Sequence, residues 1–391
     1  MTISAFITSK MVSQNISHTW KTTIQSTIEG GEKRSAIYTW PRVKSENGLQ
    51  FLTDEERRFI RTHLYRDIHH IWGFPLIHDK TTLSVEAASG QKVLTVVATG
   101  DRHFYDGRDC ILFSPTASAW QTYEQGTIDT VDSGTQITLE DNLTETWPAE
   151  TLVFPLYPFH INNVQELSWK TRELNTMQLL ATESFETDRT FTYSVPLSGA
   201  ETYNGLDLFL YLPRSGMKEK FRHPYSLLGF YGKQTMFSDY DKTRFLFSRE
   251  YPRTSRADIW KLLNFFDSKQ GRLVSFYTPT WANDIVVTGA IDSADQVLTV
   301  KPVFLTSEEI VGRHVYIRFP DGTYACRQIT NLPASTTLVI DSAIGTSVAA
   351  GDLSDMLLSF LYETRFNSDE IMFEYITKDY ARTKLSFNSI W

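Results

Sequence analysis

Short runs of apolar and β-branched residues, separated by turn-forming residues, recur along most of the chain. Branched side chains pack well on a pleated surface, so such runs favour β-strands. Asp321-Gly322 separates two of these runs and is typical of a hairpin turn. The pattern predicts a mainly β fold, with strands at residues 94–98, 111–113, 136–139, 286–287, 297–300, 315–319 and 337–340.

Two segments instead show the spacing of an amphipathic helix. The first begins with a capping box at residues 53–56, and the second begins at Ser255 with Asp258 three residues later. Their core-facing apolar residues are Phe59, Ile60 and Leu64 in the first helix, and Ile259, Leu262, Leu263 and Phe266 in the second. We therefore expect two short helices that pack on strands.

The order of these elements indicates an internal duplication. Residues 68–96 align with residues 272–300 without a gap, at an offset of 204. Pro75 then falls on Pro279, the run VLTV at 93–96 falls on VLTV at 297–300, and a one-residue gap places Asp79 on Asp284. A helix, a Pro–Asp element and a β-region follow one another in both halves. The alternative is that β-rich sequences share such residues by composition alone.

The predicted fold is α+β, mainly β: a tandem duplication of a β-barrel or sandwich-like unit that carries one helix. The expected organisation is an N-terminal arm at 1–17, a first unit at 18–180, a connector at 181–224 and a second unit at 225–391. Each unit then has an ordinary domain size. Within the connector, residues 206–212 (LDLFLYL) predict one aromatic strand.

Composition excludes several classes of protein. Aromatic residues make up 13% of the 391 residues and are spread along the chain, which excludes disorder as the main state. A net charge of −8 disfavours nucleic-acid binding, and the longest apolar stretches are too short to span a membrane. Residues 1–20 lack the continuous apolar stretch of a secretory signal. Two cysteines exclude a disulfide framework, a four-thiolate zinc site and an iron–sulfur site.

The strongest candidate for chemistry is a group of histidines beside two carboxylates. Histidine and carboxylate side chains are common metal ligands. The second copy places Leu273, Val274 and Ala282 at the positions of three of the histidines, so the repeated unit does not preserve the group. We therefore predict no catalytic residue, metal or cofactor for the group, which comprises His63, His69, His70 and His78 with Asp67 and Asp79.

Several motifs in serial order resemble tail-tip and baseplate proteins of long-tailed bacteriophages. In the first copy they are residues 38–41 (YTWP), 48–54 (GLQFLTD), Glu56, Arg57, Arg61 and 72–79 (WGFPLIHD). In the second copy they are residues 251–253 (YPR), 265–272 and 276–284 (FYTPTWAND). Some hub proteins of this class hold an iron–sulfur cluster through C-terminal cysteines. This chain lacks those cysteines, so no cofactor is carried over.

The resemblance implies a structural protein of the virion tail tip, made in the host cytoplasm and without enzymatic activity. It would form a ring, with tail-tube-like β units, that joins the tail tube to hub and fibre proteins. Tail tubes of this class are six-fold, and two units per chain would let a trimer present six of them. A trimer is therefore expected, with a hexamer as the alternative. Two other functions stay open: a carbohydrate-binding β-protein, and a cell-envelope hydrolase that uses the histidine group.

The residues that carry the repeated motif are the candidate structural site. Aromatic residues at these positions either anchor subunit contacts or fill the core of their own unit, and the second interpretation is favoured. The set comprises Trp72, Pro75 and Asp79 in the first copy and Phe276, Pro279, Trp281 and Asp284 in the second.

Overall fold

The predicted mainly β fold is confirmed by a computed structural model. Among the described residues, the chain forms mostly antiparallel strands with few short helices, and 22 of these strands are connected by pairing into one extended sheet. The structure describes residues 4–5, 11–26, 32–51, 54–114, 123–132, 134–162, 165–169, 175–184, 201–214, 218–222, 226–230, 233–237 and 244–390.

The first segment comprises the described residues from 4 to 184. Its elements are β1 (Ser4–Ala5), β2 (Met11–Thr19), β3 (Thr22–Ser26), β4 (Glu32–Ala36), β5 (Arg42–Phe51), α1 (Asp54–Asp67), β6 (Ile71–Pro75), a 3-10 helix (Ile77–Asp79), β7 (Thr81–Thr82), β8 (Val93–Thr95), β9 (Asp109–Phe113), β10 (Tyr123–Asp132), β11 (Gln136–Leu139), β12 (Leu152–Ile161), β13 (Glu166–Trp169) and β14 (Asn175–Glu183).

The second segment comprises the described residues from 201 to 390. Its elements are β15 (Thr202–Tyr203), β16 (Leu206–Asp207), β17 (Lys218–Arg222), β18 (Ser226–Phe230), β19 (Lys233–Phe237), β20 (Arg244–Arg253), α2 (Arg256–Ser268), β21 (Phe276–Pro279), β22 (Val297–Thr299), α3 (Ser307–Ile310), β23 (His314–Arg318), β24 (Tyr324–Ala334), β25 (Thr337–Ile340), a 3-10 helix (Leu353–Asp355), β26 (Leu357–Phe366), β27 (Glu370–Tyr375) and β28 (Ala381–Ser389).

Helix α2 begins where the sequence predicts. The Ser255 side chain accepts a hydrogen bond from the Asp258 amide at 3.1 Å, which caps the first turn. The four apolar residues that define its predicted face are all buried against aromatic side chains from β20, β21, β26 and β28. Thr53, which opens the other predicted capping box, lies outside the described residues. Helix α3 was not predicted, although Thr306 and Glu309 form a capping box.

The two segments repeat the same strand pairings around their helices. In the first segment β2, β5 and β14 are neighbours, and in the second β17, β20 and β28 are neighbours. Residues that lie opposite each other also correspond. The pair Ser17–Lys44 between β2 and β5 corresponds to Lys220–Leu246 between β17 and β20. The pair Gln50–Thr176 between β5 and β14 corresponds to Pro252–Arg382 between β20 and β28. These offsets are 202 for β5 and β20, 203 for β2 and β17, and 206 for β14 and β28.

A second set of strands repeats its backbone hydrogen bonds as well. Residues around β8 correspond to residues 204 positions later in the second segment, and residues around β11 correspond to residues 201 positions later. Corresponding bonds run from Ser84 N to Thr95 O and from Thr288 N to Thr299 O, and from Leu143 N to Gln91 O and from Ile344 N to Asp295 O. The cores correspond too, with Leu94 and Ile137 at the positions of Leu298 and Leu338. The segments therefore share strand order and register at these positions.

The predicted strand at 206–212 is only partly present. The assigned strand covers only Leu206–Asp207. Beyond it, Leu208 forms one isolated parallel bridge with Tyr277 of β21. The Phe209 side chain is fully buried at the centre of the aromatic core under α2. Burial of the phenyl ring, rather than a ladder of hydrogen bonds, holds this stretch in place.

Candidate functional site

The two segments meet along one pair of strands. Strand β2 of the first segment pairs with β27 of the second, from Asn15 opposite Glu374 to Thr19 opposite Glu370. Ser17 Oγ donates a hydrogen bond to Glu370 Oε1 at 2.8 Å. The main sheet therefore continues from one segment into the other, and we call the region around this strand pair the junction.

Asp79 lies at the centre of a buried polar cluster in the junction. The 3-10 helix after β6 places its carboxylate next to His103, whose backbone amide and Nδ1 both contact Asp79 Oδ2. Arg256, the first residue of α2, donates from Nη2 to Asp79 Oδ1 and to the Asp101 carbonyl at 2.8 Å. Asp79 has no exposed surface, and the side chain of Arg256 is 8% exposed. Asp79 and Arg256 thus form a buried ion pair between the segments.

Burial and neighbouring charge act on these groups in opposite directions. Burial alone would raise the pKa of Asp79, but the nearby His78, His103 and Arg256 outweigh it and hold the pKa below its usual range. Burial lowers the pKa of His78 to about 3; the Asp79 carboxylate opposes this shift, whereas Arg256 and His103 add to it. The His78 ring stacks on Tyr375 at 3.9 Å between centroids and makes no hydrogen bond to any described residue. The cluster is therefore arranged for an ionised Asp79 and a neutral His78.

A second polar group joins α2 to β2. Asp267, near the end of α2, accepts hydrogen bonds from His18 Nδ1 at 3.0 Å and from Trp20 Nε1 at 2.9 Å. Burial alone would lower the pKa of His18, but Asp267 reverses the direction and raises it. Arg365 adds a bidentate pair with Glu32, at 2.9 and 3.0 Å, in which both side chains are 6% exposed. Three buried charged pairs therefore join the segments: Arg256 with Asp79, His18 with Asp267, and Arg365 with Glu32.

The cluster around Asp79 also offers potential metal ligands. One ligand atom from each of His78, Asp79 and His103 lies within 4.8 Å of the others. Arg256 already occupies Asp79 Oδ1 and places a fixed positive charge inside the group. A divalent cation would be repelled by this buried guanidinium, so the geometry favours a structural ion-pair cluster over a metal site.

The structure places the candidate residues of the first copy in one neighbourhood. Trp72 is 7% exposed and packs in the core that lies between β5, β6, β12 and β14. The Pro75 carbonyl accepts a hydrogen bond from Gln14 Nε2 at 3.1 Å, and Gln14 Oε1 accepts one from the Ile77 amide at 2.8 Å. These bonds fix the chain just before Asp79.

The candidate residues of the second copy are divided between two cores. Phe276 is fully buried under α2, whereas Trp281 packs at 5.4 Å from the Tyr316 ring in a separate cluster. The Pro279 carbonyl accepts from the buried Arg249 Nη1 at 2.8 Å. Asp284 Oδ2 accepts from the Phe360 amide at 2.8 Å and contacts Thr280 Oγ1. Asp284 thus supports its own segment, while Asp79 binds the other one.

The predicted histidine group does not assemble among the described side chains. His69 and His70 are exposed and contact each other at 4.2 Å between ring centroids. Of the group's described side chains, His78 and Asp79 belong to the buried cluster. The side chains of His63 and Asp67 lie outside the described residues. Sequence reasoning missed His103 and Arg256, because their contacts with Asp79 join positions 24 and 177 residues apart.

No protein-family model matches the sequence, and a search of curated proteins returns no match. Among the described residues, no helix combines the length and the apolar character that crossing a membrane requires.

Proposed function

We propose that the chain is a structural protein of a bacteriophage tail tip or baseplate, with no enzymatic activity. In this proposal it is built from two copies of one unit and forms a ring between the tail tube and the hub and fibre proteins. It would reside in the virion after synthesis in the host cytoplasm. The favoured assembly is a trimer, with a hexamer as the alternative.

The observation that carries the proposal is the repeated pairing of the two segments. Both the strands around the helices and the small β-region recur at offsets between 201 and 206 residues, down to individual hydrogen bonds. Agreement in register at many separate positions supports a duplicated unit over chance similarity of composition. Three chains with two such units each supply six similar surfaces, which matches the symmetry that the resemblance implies for the tube.

The charge and the junction support a structural role. A net charge of −8 suits a ring that need not retain nucleic acid. The charged groups at the junction are buried in contacts between segments, where they fix the relative position of the two segments.

The hydrolase alternative finds little support in the same cluster. His78 and His103 are 5% and 4% exposed, and Asp79 is fully buried and bound by His103 and Arg256. A substrate could not approach these groups without separation of the two segments. The carbohydrate-binding alternative is a matter for direct measurement on a glycan array.

Mass photometry of the purified chain tests the proposed assembly. The single chain has a mass of 44.9 kDa. We expect a main species at three times this mass, and negative-stain images should show rings. A species at six times the mass of the chain would replace the trimer with a hexameric ring. A monomer that binds glycans or degrades cell envelopes would contradict the proposal.

A further inference from the structure

We infer that copies of this chain join head to tail, with β17 of one copy pairing with β13 of the next. This inference rests on the proposed ring and specifies its contact surface. Within the chain, β2 and β27 already make the corresponding pair at the junction. The contact between chains would repeat the contact between segments.

The correspondence of the four strands comes from their registers. Thr19 lies opposite Arg42 as Arg222 lies opposite Arg244, so β17 is the counterpart of β2. Trp169 lies opposite Asn175 as Tyr375 lies opposite Ala381, so β13 is the counterpart of β27. Strand β2 has a neighbour on each side, β5 and β27. Within the described residues, β17 pairs only with β20 and β13 only with β14.

Each counterpart strand therefore presents one edge without a partner in the described part of the chain. An unpaired edge exposes backbone donors and acceptors that favour addition of another strand. At the junction, Ser17 lies opposite Met372. The counterpart of Ser17 is Lys220, 203 residues later, and the counterpart of Met372 is Glu166, 206 residues earlier. The proposed contact therefore places Lys220 opposite Glu166 of the next copy. The side chains of both residues are exposed and carry opposite charge. Opposite charges across an antiparallel pair stabilise the pairing.

Two exposed aromatic side chains support the same contact. At the junction, His18 in β2 binds Asp267 in the last turn of α2. The counterpart of His18 is Phe221, which is 66% exposed. Because α1 begins at Asp54 and α2 at Arg256, the counterpart of Asp267 is Tyr65, which is 94% exposed. The proposed contact brings these two rings together and removes both from water.

A neighbouring hairpin follows the same logic. At the junction, the β3–β4 hairpin reaches the second segment, where Arg34 Nη1 donates to the Leu273 carbonyl at 2.9 Å. Its counterpart is the β18–β19 hairpin, whose sequences SLLGF and KQTMF are rich in apolar residues. In the ring this hairpin would lie against the first segment of the next copy.

The inferred contact is heterologous, because it uses different edges on the two copies. Such a contact closes into a ring when successive rotations complete a circle. A closed ring of six units in three chains requires the junction within the chain and the contact between chains each to turn successive units by one sixth of a circle.

Cysteine cross-linking tests the register. The variant Lys220→Cys/Glu166→Cys should form disulfide-linked dimers and trimers on oxidation, seen on a non-reducing gel. Opposed Cβ atoms in an antiparallel pair lie about 5 Å apart, close to disulfide geometry. The native Cys110 and Cys326 are buried and free, which limits background reaction. A mixture of Lys220→Cys chains with Glu166→Cys chains should stop at dimers.

Two controls separate this inference from the proposed function. The shifted variant Lys218→Cys/Glu166→Cys should cross-link much less, because the diagonal separation is larger. Absence of cross-links in a wild-type-like trimer would overturn the edge pairing and leave the ring intact. Linkage within either single variant would show a two-fold contact and also overturn it. A monomeric wild-type protein by mass photometry would overturn the ring itself.

A side-chain variant gives an independent readout. Phe221→Ser should lower the fraction of trimer at a given concentration, because the aromatic contact with Tyr65 is lost. Phe304→Ser is the matched control, since Phe304 is 99% exposed and lies far along the chain from both edges. Equal trimer fractions in the two variants would contradict the inferred contact.

Discussion

The buried carboxylate of Asp79 contacts polar groups from both segments of the chain. It binds the backbone and ring of His103 from its own segment and the guanidinium of Arg256 from the other. His78 lies beside it with Nε2 3.6 Å from Asp79 Oδ1, stacked on Tyr375. An imidazolium at His78 would add positive charge beside Arg256, which already neutralises the Asp79 carboxylate.

The low pKa of His78 leads to a pH-dependent stability. In the unfolded chain this histidine takes up a proton below about pH 6.5, whereas in the folded chain it stays neutral down to about pH 3. The unfolded state therefore binds more protons in this window, and the free energy of unfolding should fall as pH falls. The slope from one such group is at most about 1.4 kcal/mol per pH unit.

Urea unfolding at several pH values between 6.5 and 4.5 measures this slope. His78→Phe keeps the stacking on Tyr375 and should flatten the slope, while His69→Phe controls for the loss of an exposed imidazole. His18 adds little slope in this window, because its raised pKa leaves it protonated in the folded state and the unfolded chain is also largely protonated below pH 6.5. Parallel curves for wild type and His78→Phe would show that His78 is not the titrating group.

Sequence reasoning found some of these residues and missed others for a physical reason. Asp79 was singled out from its place in the repeated motif, and its neighbour His78 from the histidine group. The partners His103 and Arg256 carry no local signal, because only tertiary folding brings them to Asp79. The positive φ of 58° at Trp281 also has no sequence signal, since tryptophan is not typical of left-handed backbone.

At the scale of elements, the N-terminus of α2 connects the two segments. Arg256 is the first residue of the helix, yet its side chain turns back to Asp79 and to the Asp101 carbonyl. At the other end of the helix, Asp267 binds His18 and Trp20 of the first segment. The apolar face of the same helix packs on its own segment. Helix α2 thus contributes to the core of its own segment and also binds the first segment at both of its ends; we call these end contacts the α2 clamp.

Removing Arg256 tests the clamp. Arg256→Met should lower the free energy of unfolding by about 3–5 kcal/mol, because it leaves the Asp79 carboxylate buried without its counter-charge. The control Arg382→Met removes an exposed pair with Glu374 and should have little effect. The double variant Asp79→Asn/Arg256→Met should regain part of the loss. Equal effects of Arg256→Met and Arg382→Met in urea unfolding would contradict the clamp.

The elements themselves were largely predictable from local pattern. The spacing of Ile259, Leu262, Leu263 and Phe266 predicts α2, because a helix that covers a core must present one apolar face. The stretch at 206–212 has a strand-like composition but pairs over only two residues. Phe209 is buried in the core under α2 and Tyr211 packs against that core, so composition reflected burial rather than backbone pairing. Local sequence pattern does not show that β2 pairs with β27, because the two strands lie near opposite ends of the chain.

At the scale of the whole molecule, we propose that contacts between chains repeat the junction inside the chain. One strand pair is satisfied within the chain, and the corresponding edges of β17 and β13 are left without partners in the described residues. A protein with one satisfied and one free copy of the same contact is expected to assemble with itself. The ring and the duplication are therefore two aspects of one proposal.

A cryo-EM reconstruction of phage tails that contain this chain tests the central claim most directly. We predict a ring of three chains at the tail tip, in which six units superpose and β17 of each chain lies beside β13 of the next. A tail tip that lacks the chain, or one in which its two segments do not superpose, would contradict the proposed ring.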